Sequence, residues 1–222
     1  MPITCKENEQ IFSRLNIFKW WEAGYTGKGV RAAIIDNGCL PNPYYKSCGY
    51  PFDDGRNEGG HVTTVHACLA EVAPDAEYYF LYGPTKENLT WIKNNNIDIV
   101  VMSMTGSMDM SILKDTEIPI FVSTGNDGSG VDSPANKDYV FGIGAWERTD
   151  VKANYSNFGN ELDFVAYIPY IKGSQSGEYY KDYGTSCANP FAAGICALFI
   201  QRCKELGIKP TRQQVKDFLI KY

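Results

Sequence analysis

Four short apolar runs, separated by polar or helix-patterned stretches, constrain this chain more than any other feature. GVRAAIID (29–36), AEYYFLYG (76–83), IDIVVMSM (97–104) and IPIFVSTGN (118–126) each have the length and apolar content of a buried strand. Between them the pattern changes: 61–71 is helix-like and is stopped by Val72-Ala73-Pro74-Asp75, and 85–95 reads as a helix with a polar surface. Strands that alternate with helices need crossover connections, so the expected fold is α/β. It has a mainly parallel central sheet with helices on both faces.

The second half reads differently. Residues 127–183 are rich in Gly, Asn, Asp and Tyr and suggest loops with short strands such as 139–145 and 162–168. From Asn189 to Gln201 the chain is Ala-rich and apolar nearly all round, the pattern of a buried helix starting just after Ser186. A last amphipathic helix is expected over 211–220, with Thr211 as its N-cap. The 222 residues are read as one domain, with 1–12 as a frayed tail or short extension.

Composition narrows the function. Lys and Arg are scattered and the net charge is −5, so no footprint for nucleic acid is present. No segment approaches the roughly 20 apolar residues of a membrane span, and the N-terminal MPITCKENEQ lacks the apolar core of a secretion signal. Seven Cys, an odd number with no C-x-x-C pair, suit reduced thiols in a cytoplasm. With only two His and no ligand spacing, no metal or other cofactor is expected.

The chemistry should gather outside the C-terminal ends of the strands. Asp36, Ser103 and Asn126 all fall at predicted strand ends. Gly184-Thr185-Ser186-Cys187-Ala188-Asn189-Pro190 sets a Ser at a loop-to-helix junction, where helix N–H groups favour a forming oxyanion. A Ser hydroxyl attacks only with a base in hydrogen-bond reach and a group to orient that base. His61 and His66 are the two imidazoles available.

These residues resemble a known family, the subtilisin-like serine peptidases or subtilases. TGKGVRAAIIDNG (26–38) resembles the family's Asp region, GTSCANPFAAG (184–194) its GTSxAxPxxAG nucleophile motif, and VSTGNDG (122–128) the strand end that carries its oxyanion Asn. VVMSMTG (100–106) is similar to the segment that pairs with an extended substrate, and the order Asp, His, Ser is the subtilisin order. The resemblance covers the chain from about residue 13 onward. It implies a three-layer subtilisin-like fold and a serine endopeptidase acting on a protein or peptide substrate. Asp36, His61 and Ser186 would form the triad and Asn126 the oxyanion hole. Ser103, Met104, Thr105, Gly106, Ser123, Thr124 and Gly125 would bind substrate. It also implies a cis Ser133-Pro134 peptide.

The His motif departs from the family pattern. The chain reads Gly59-Gly60-His61-Val62-Thr63, with Val62 where the family usually has Gly. In one register His61 is the catalytic base. In the other, Glu58 stands in its place and the fold would be a pseudopeptidase, a binding or regulatory module. The spacing from His61 to Val72-Ala73-Pro74 suits an uninterrupted helix and favours the first, which leaves His66 structural. It also leaves no room for a calcium loop in that helix, while Asp127, Asp132 and Asp138 read as solvated loop carboxylates.

Overall fold

A computed structural model describes residues 2–49, 51–52 and 60–222. Glu58, the alternative occupant of the base position, lies outside them. Six strands form one sheet: β1 (Arg31–Asp36), β2 (Glu77–Tyr82), β3 (Ile99–Met102), β4 (Ile120–Ser123), β5 (Phe141–Trp146) and β6 (Phe164–Tyr167). Their order is β2-β1-β3-β4-β5-β6 and every pairing is parallel. All the C-terminal strand ends therefore open on one rim. A small antiparallel pair, β7 (Tyr170–Lys172) and β8 (Tyr179–Lys181), follows.

The sheet is covered on both faces because its strands are apolar on both. β1, β3 and β4 are buried almost without a break. Ala32, Ile34, Val101 and Phe121 belong to one core, with helices α1 (Lys6–Arg14), α2 (Ile17–Glu22), α3 (His61–Ala70) and α5 (Thr185–Glu205). Ile35, Val100, Met102 and Val122 belong to the other, with α4 (Lys86–Asn94). α6 (Arg212–Lys221) packs Phe218 and Leu219 on the first core and starts, as expected, from Thr211, which forms a reciprocal capping box with Gln214. No helix among the described residues is long and apolar enough to cross a membrane.

α3 and α5 pack closely because Gly194 lies under the chain just after α3: a Cβ there would stand 2.7 Å from Val72 Cβ. That close approach holds the two helices whose N-terminal turns carry His61 and Ser186.

Two expectations are corrected. Residues 6–12, read as part of a frayed tail, are most of α1, with Asn8, Ile11 and Phe12 buried. Asn8 anchors the segment: its Oδ1 accepts from Tyr170 N–H and its Nδ2 donates to Tyr170 O, both at 2.8 Å. Thr4 Oγ1 adds a bond to the buried Glu71 at 2.9 Å. α5 begins at Thr185 instead of after Ser186, so the candidate nucleophile lies inside the first helical turn.

Candidate active site

Asp36 ends β1 at the rim, and its side chain is fully buried. A buried carboxylate is costly unless hydrogen-bonded. Its Oδ1 accepts from Asn37 N–H at 2.7 Å, and both of its oxygens stand 2.9 Å from His61 Nδ1. His61 opens α3 and its side chain stays 38% exposed. With Nδ1–H given to the carboxylate, Nε2 is the basic nitrogen that faces outward chemistry. The Asp36 hydrogen bond raises the His61 pKa above its ordinary value; burial opposes this, and the charges of Asp36 and Asp182 add to it.

Ser186 owes its setting to a proline. Pro190 lies inside α5 and has no N–H, so the carbonyl four residues earlier, that of Ser186, is released from the helix ladder. Ser103 Oγ donates to that carbonyl at 3.0 Å. Asn189 Nδ2 ties the same helix turn to the strand ends, donating to Met102 O at 3.1 Å and to Ser103 Oγ at 3.2 Å. The helix N-terminus is thus fixed to β3. Ser186 Oγ itself donates to Ser103 O at 3.4 Å, and no hydrogen bond joins it to His61 among the described residues. The structure brings Asp36 and His61 into direct contact and sets Ser186 at the end of the neighbouring strand.

Asn126 stands exposed, three residues beyond β4. Thr185 orients its amide: Oδ1 accepts from Thr185 N–H at 2.8 Å and from Thr185 Oγ1 at 3.1 Å. With Oδ1 occupied, Nδ2 is the end that can donate to a bound molecule.

The remaining candidates divide. Ser123, Thr124 and Gly125 are buried, and their polar backbone is largely spent inside the fold. Thr124 O accepts from Asp132 N–H at 3.0 Å, and Gly125 O from Asn157 N–H at 3.1 Å. Gly125 has φ +104° and room for no side chain, since a Cβ would meet Asp132 Oδ2 at 2.2 Å. Ser103 is buried as well, its hydroxyl engaged by α5. Met104 is half-buried and Thr105 and Gly106 are exposed, so this stretch presents itself to a partner, although Gly106 N–H is taken by Ser133 O at 2.8 Å. The Ser133-Pro134 peptide is cis, as the resemblance implies.

His66 points away from the site. It is buried among the rings of Tyr78, Phe80 and Tyr45, accepts from Asn42 N–H at Nδ1 (3.1 Å) and approaches Lys46 O through Nε2 (3.0 Å). Burial pushes its pKa down to about 4, so it is neutral. Cys187, next to Ser186, is buried and donates to Tyr183 O. Asp132 is bonded to Asn157 Nδ2, Asp138 lies near Lys114, and no group of three or more His, Cys, Asp or Glu suited to a metal ion occurs among the described residues.

Sequence reasoning gave no role to Thr185 or Asn189, which orient Asn126 and fasten α5. Both sit within the quoted nucleophile segment, where their polar side chains flanking a Ser were the available signal.

Comparison with known proteins bears on the family and the fold. Subtilisin NAT of Bacillus subtilis subsp. natto is 29% identical over 235 residues, covering 88% of this chain and 61% of its own length. Minor extracellular protease Epr of Bacillus subtilis (strain 168) is 29% identical over 216 residues, covering 82% of this chain and 34% of its own. The chain thus spans about 61% or less of the length of these relatives. Among solved structures, a cold adapted subtilisin-like serine proteinase superposes with TM-score 0.71 at 21% identity, over 87% of this chain and 81% of that one. Prenylagaramide maturation protease PagA gives 0.73 at 18% identity, over 90% and 86%. These two share the fold. The subtilase family model aligns with residues 27–221, from just before β1 to the last turn of α6, and on that extent the chain belongs to the subtilase family.

Proposed function

We propose that this protein is a serine endopeptidase in which Ser186 attacks the peptide carbonyl, His61 is the base and Asp36 orients it. The observation that carries the reading is the contact of both buried Asp36 oxygens with His61 Nδ1 at 2.9 Å, which fixes the tautomer with a basic Nε2. The chain's membership of the subtilase family supports the same assignment. Ser186 Oγ turns about χ1 from the Ser103 carbonyl toward the imidazole, a rotamer change on the ps–ns scale. His61 accepts its proton during attack, and Asp36 stabilises the imidazolium. The oxyanion is held by Asn126 Nδ2 and the Ser186 N–H at the start of α5. His61 then gives its proton to the leaving amine, and water resolves the acyl-enzyme.

A protein or peptide is the proposed substrate, met along the 104–106 stretch, where Thr105 and Gly106 are exposed. Action in a reducing cytoplasm is proposed from seven free cysteines, five of them buried. The test is a fluorophosphonate probe, expected to label the parent and not Ser186→Ala. Asn126→Ala should lower kcat by about 10²- to 10³-fold with little change in KM. An unlabelled, folded parent would make the chain a binding module and end the peptidase reading.

A further inference from the structure

The segment that leads from β8 into α5 carries a carboxylate the proposed reaction does not use. Asp182 lies four residues before Ser186, and its Oδ2 accepts from Thr64 Oγ1 at 3.4 Å. Thr64 is three residues after His61 on α3, the spacing that puts two side chains on one helix face. The Asp182 carboxylate therefore stands against the turn of α3 that bears the imidazole, and its charge acts on that ring. It is partly exposed, and its Oδ1 accepts only the Tyr183 N–H, at 2.9 Å. The adjacent cation, Lys181, is paired with Glu147 at 3.0 Å. Among the described residues no Lys or Arg pairs with Asp182. Tyr180, whose hydroxyl is 3.3 Å from Thr64 Oγ1, shares that partner with it, and the next residue, Tyr183, is 75% exposed with its ring edge-on to Tyr155.

Reaction chemistry assigns this corner to one half of the substrate. The acyl half lies toward its oxyanion donor, Asn126. The leaving amine must lie beside His61 Nε2, because that nitrogen protonates it. A side chain reaching a carboxylate on the His61 side belongs to the leaving peptide. Resting on the peptidase reading, we propose that Asp182 determines specificity there and selects Lys or Arg directly after the cleaved bond. The cation meets the carboxylate while its aliphatic stem lies along Tyr180 and Tyr183.

The experiment uses the full chain and quenched peptides that differ only at that residue (Lys, Arg, Gln or Glu), with cleavage positions read by mass spectrometry. The parent should favour Lys over Glu by about tenfold in kcat/KM, a preference that shrinks in 1 M salt. Asp182→Asn should bring the ratio toward one, Asp182→Lys should invert it, and Asp182→Glu should restore it. A ratio taken within one variant does not depend on how much of it is folded. An unchanged ratio in Asp182→Asn, or a parent without preference, overturns the inference while the peptidase reading stands. A parent that cleaves no peptide and takes no fluorophosphonate label overturns both.

Discussion

Helix α3 holds two histidines five residues apart, and the fold makes them different groups. His61 is partly exposed, bonded to a buried carboxylate, and has its pKa raised. His66 is fully buried among aromatic rings, bonded only to backbone, and has its pKa lowered to about 4. Five residues at about 100° each leave them roughly 140° apart around the axis, so one faces the rim while the other enters the core. A base needs its neutral form and its charged form to be both accessible at neutral pH. The neighbours of His61 allow both and those of His66 allow one.

The contrast breaks most clearly under deletion. His61→Ala should cut peptide hydrolysis by about 10⁴- to 10⁶-fold, read as kcat/KM. His66→Ala should instead act on stability. It leaves a cavity and strands the Asn42 N–H and Lys46 carbonyl, for a loss of about 3–5 kcal/mol in urea unfolding. The folded fraction of His66→Ala should keep kcat/KM within a few-fold of the parent. If a well-folded His66→Ala lost activity as His61→Ala does, the two roles would have been assigned to the wrong residues.

The same contrast marks what was legible in the sequence. The central strands β1, β3 and β4 were visible as apolar runs because a strand buried on both faces leaves no polar alternation to hide it. Asp36 and Asn126 were visible because they stand where an apolar run stops, and Ser186 because it stands where a polar loop gives way to an apolar helix. The N-terminal helix was not. Its few apolar residues, Ile11 and Phe12, sit in a polar stretch, and the bond that anchors it joins Asn8 to Tyr170, 162 positions away. The Ala-rich apolar pattern that marks α5 begins only at Asn189, four residues past its start at Thr185, and the missing N–H of Pro190 frees the Ser186 carbonyl for Ser103. The hydroxyl of Ser103, within the segment read as pairing with an extended substrate, is committed to that bond. Val62, the departure beside His61, is fully buried in the first core, where an aliphatic side chain contributes packing.

A smaller effect, and one with opposite signs at the two histidines, comes from pH. His66 has a folded pKa of about 4 and an unfolded value near 6.5. Its stabilisation is complete above pH 6.5 and is lost as pH falls from there toward 4, because the unfolded chain binds the proton first. The whole loss is about 3 kcal/mol. His61 runs the other way. Its folded pKa lies above the ordinary value, so its stabilisation is complete below pH 6.5 and is lost as pH rises through the folded pKa. Under the proposed mechanism, the proton that stabilises the pair with Asp36 also blocks His61 as the base, so the acid limb of kcat/KM should lie above pH 6.5. His66→Gln separates the two: its urea midpoint should fall less steeply than the parent's between pH 6.5 and 4, while the acid limb stays in place. Equal slopes in parent and variant would mean that His66 is not the proton acceptor whose burial the fold resists. Asp182→Asn, which removes one of the charges acting on His61, should move the acid limb down and leave the stability slope near pH 5 alone.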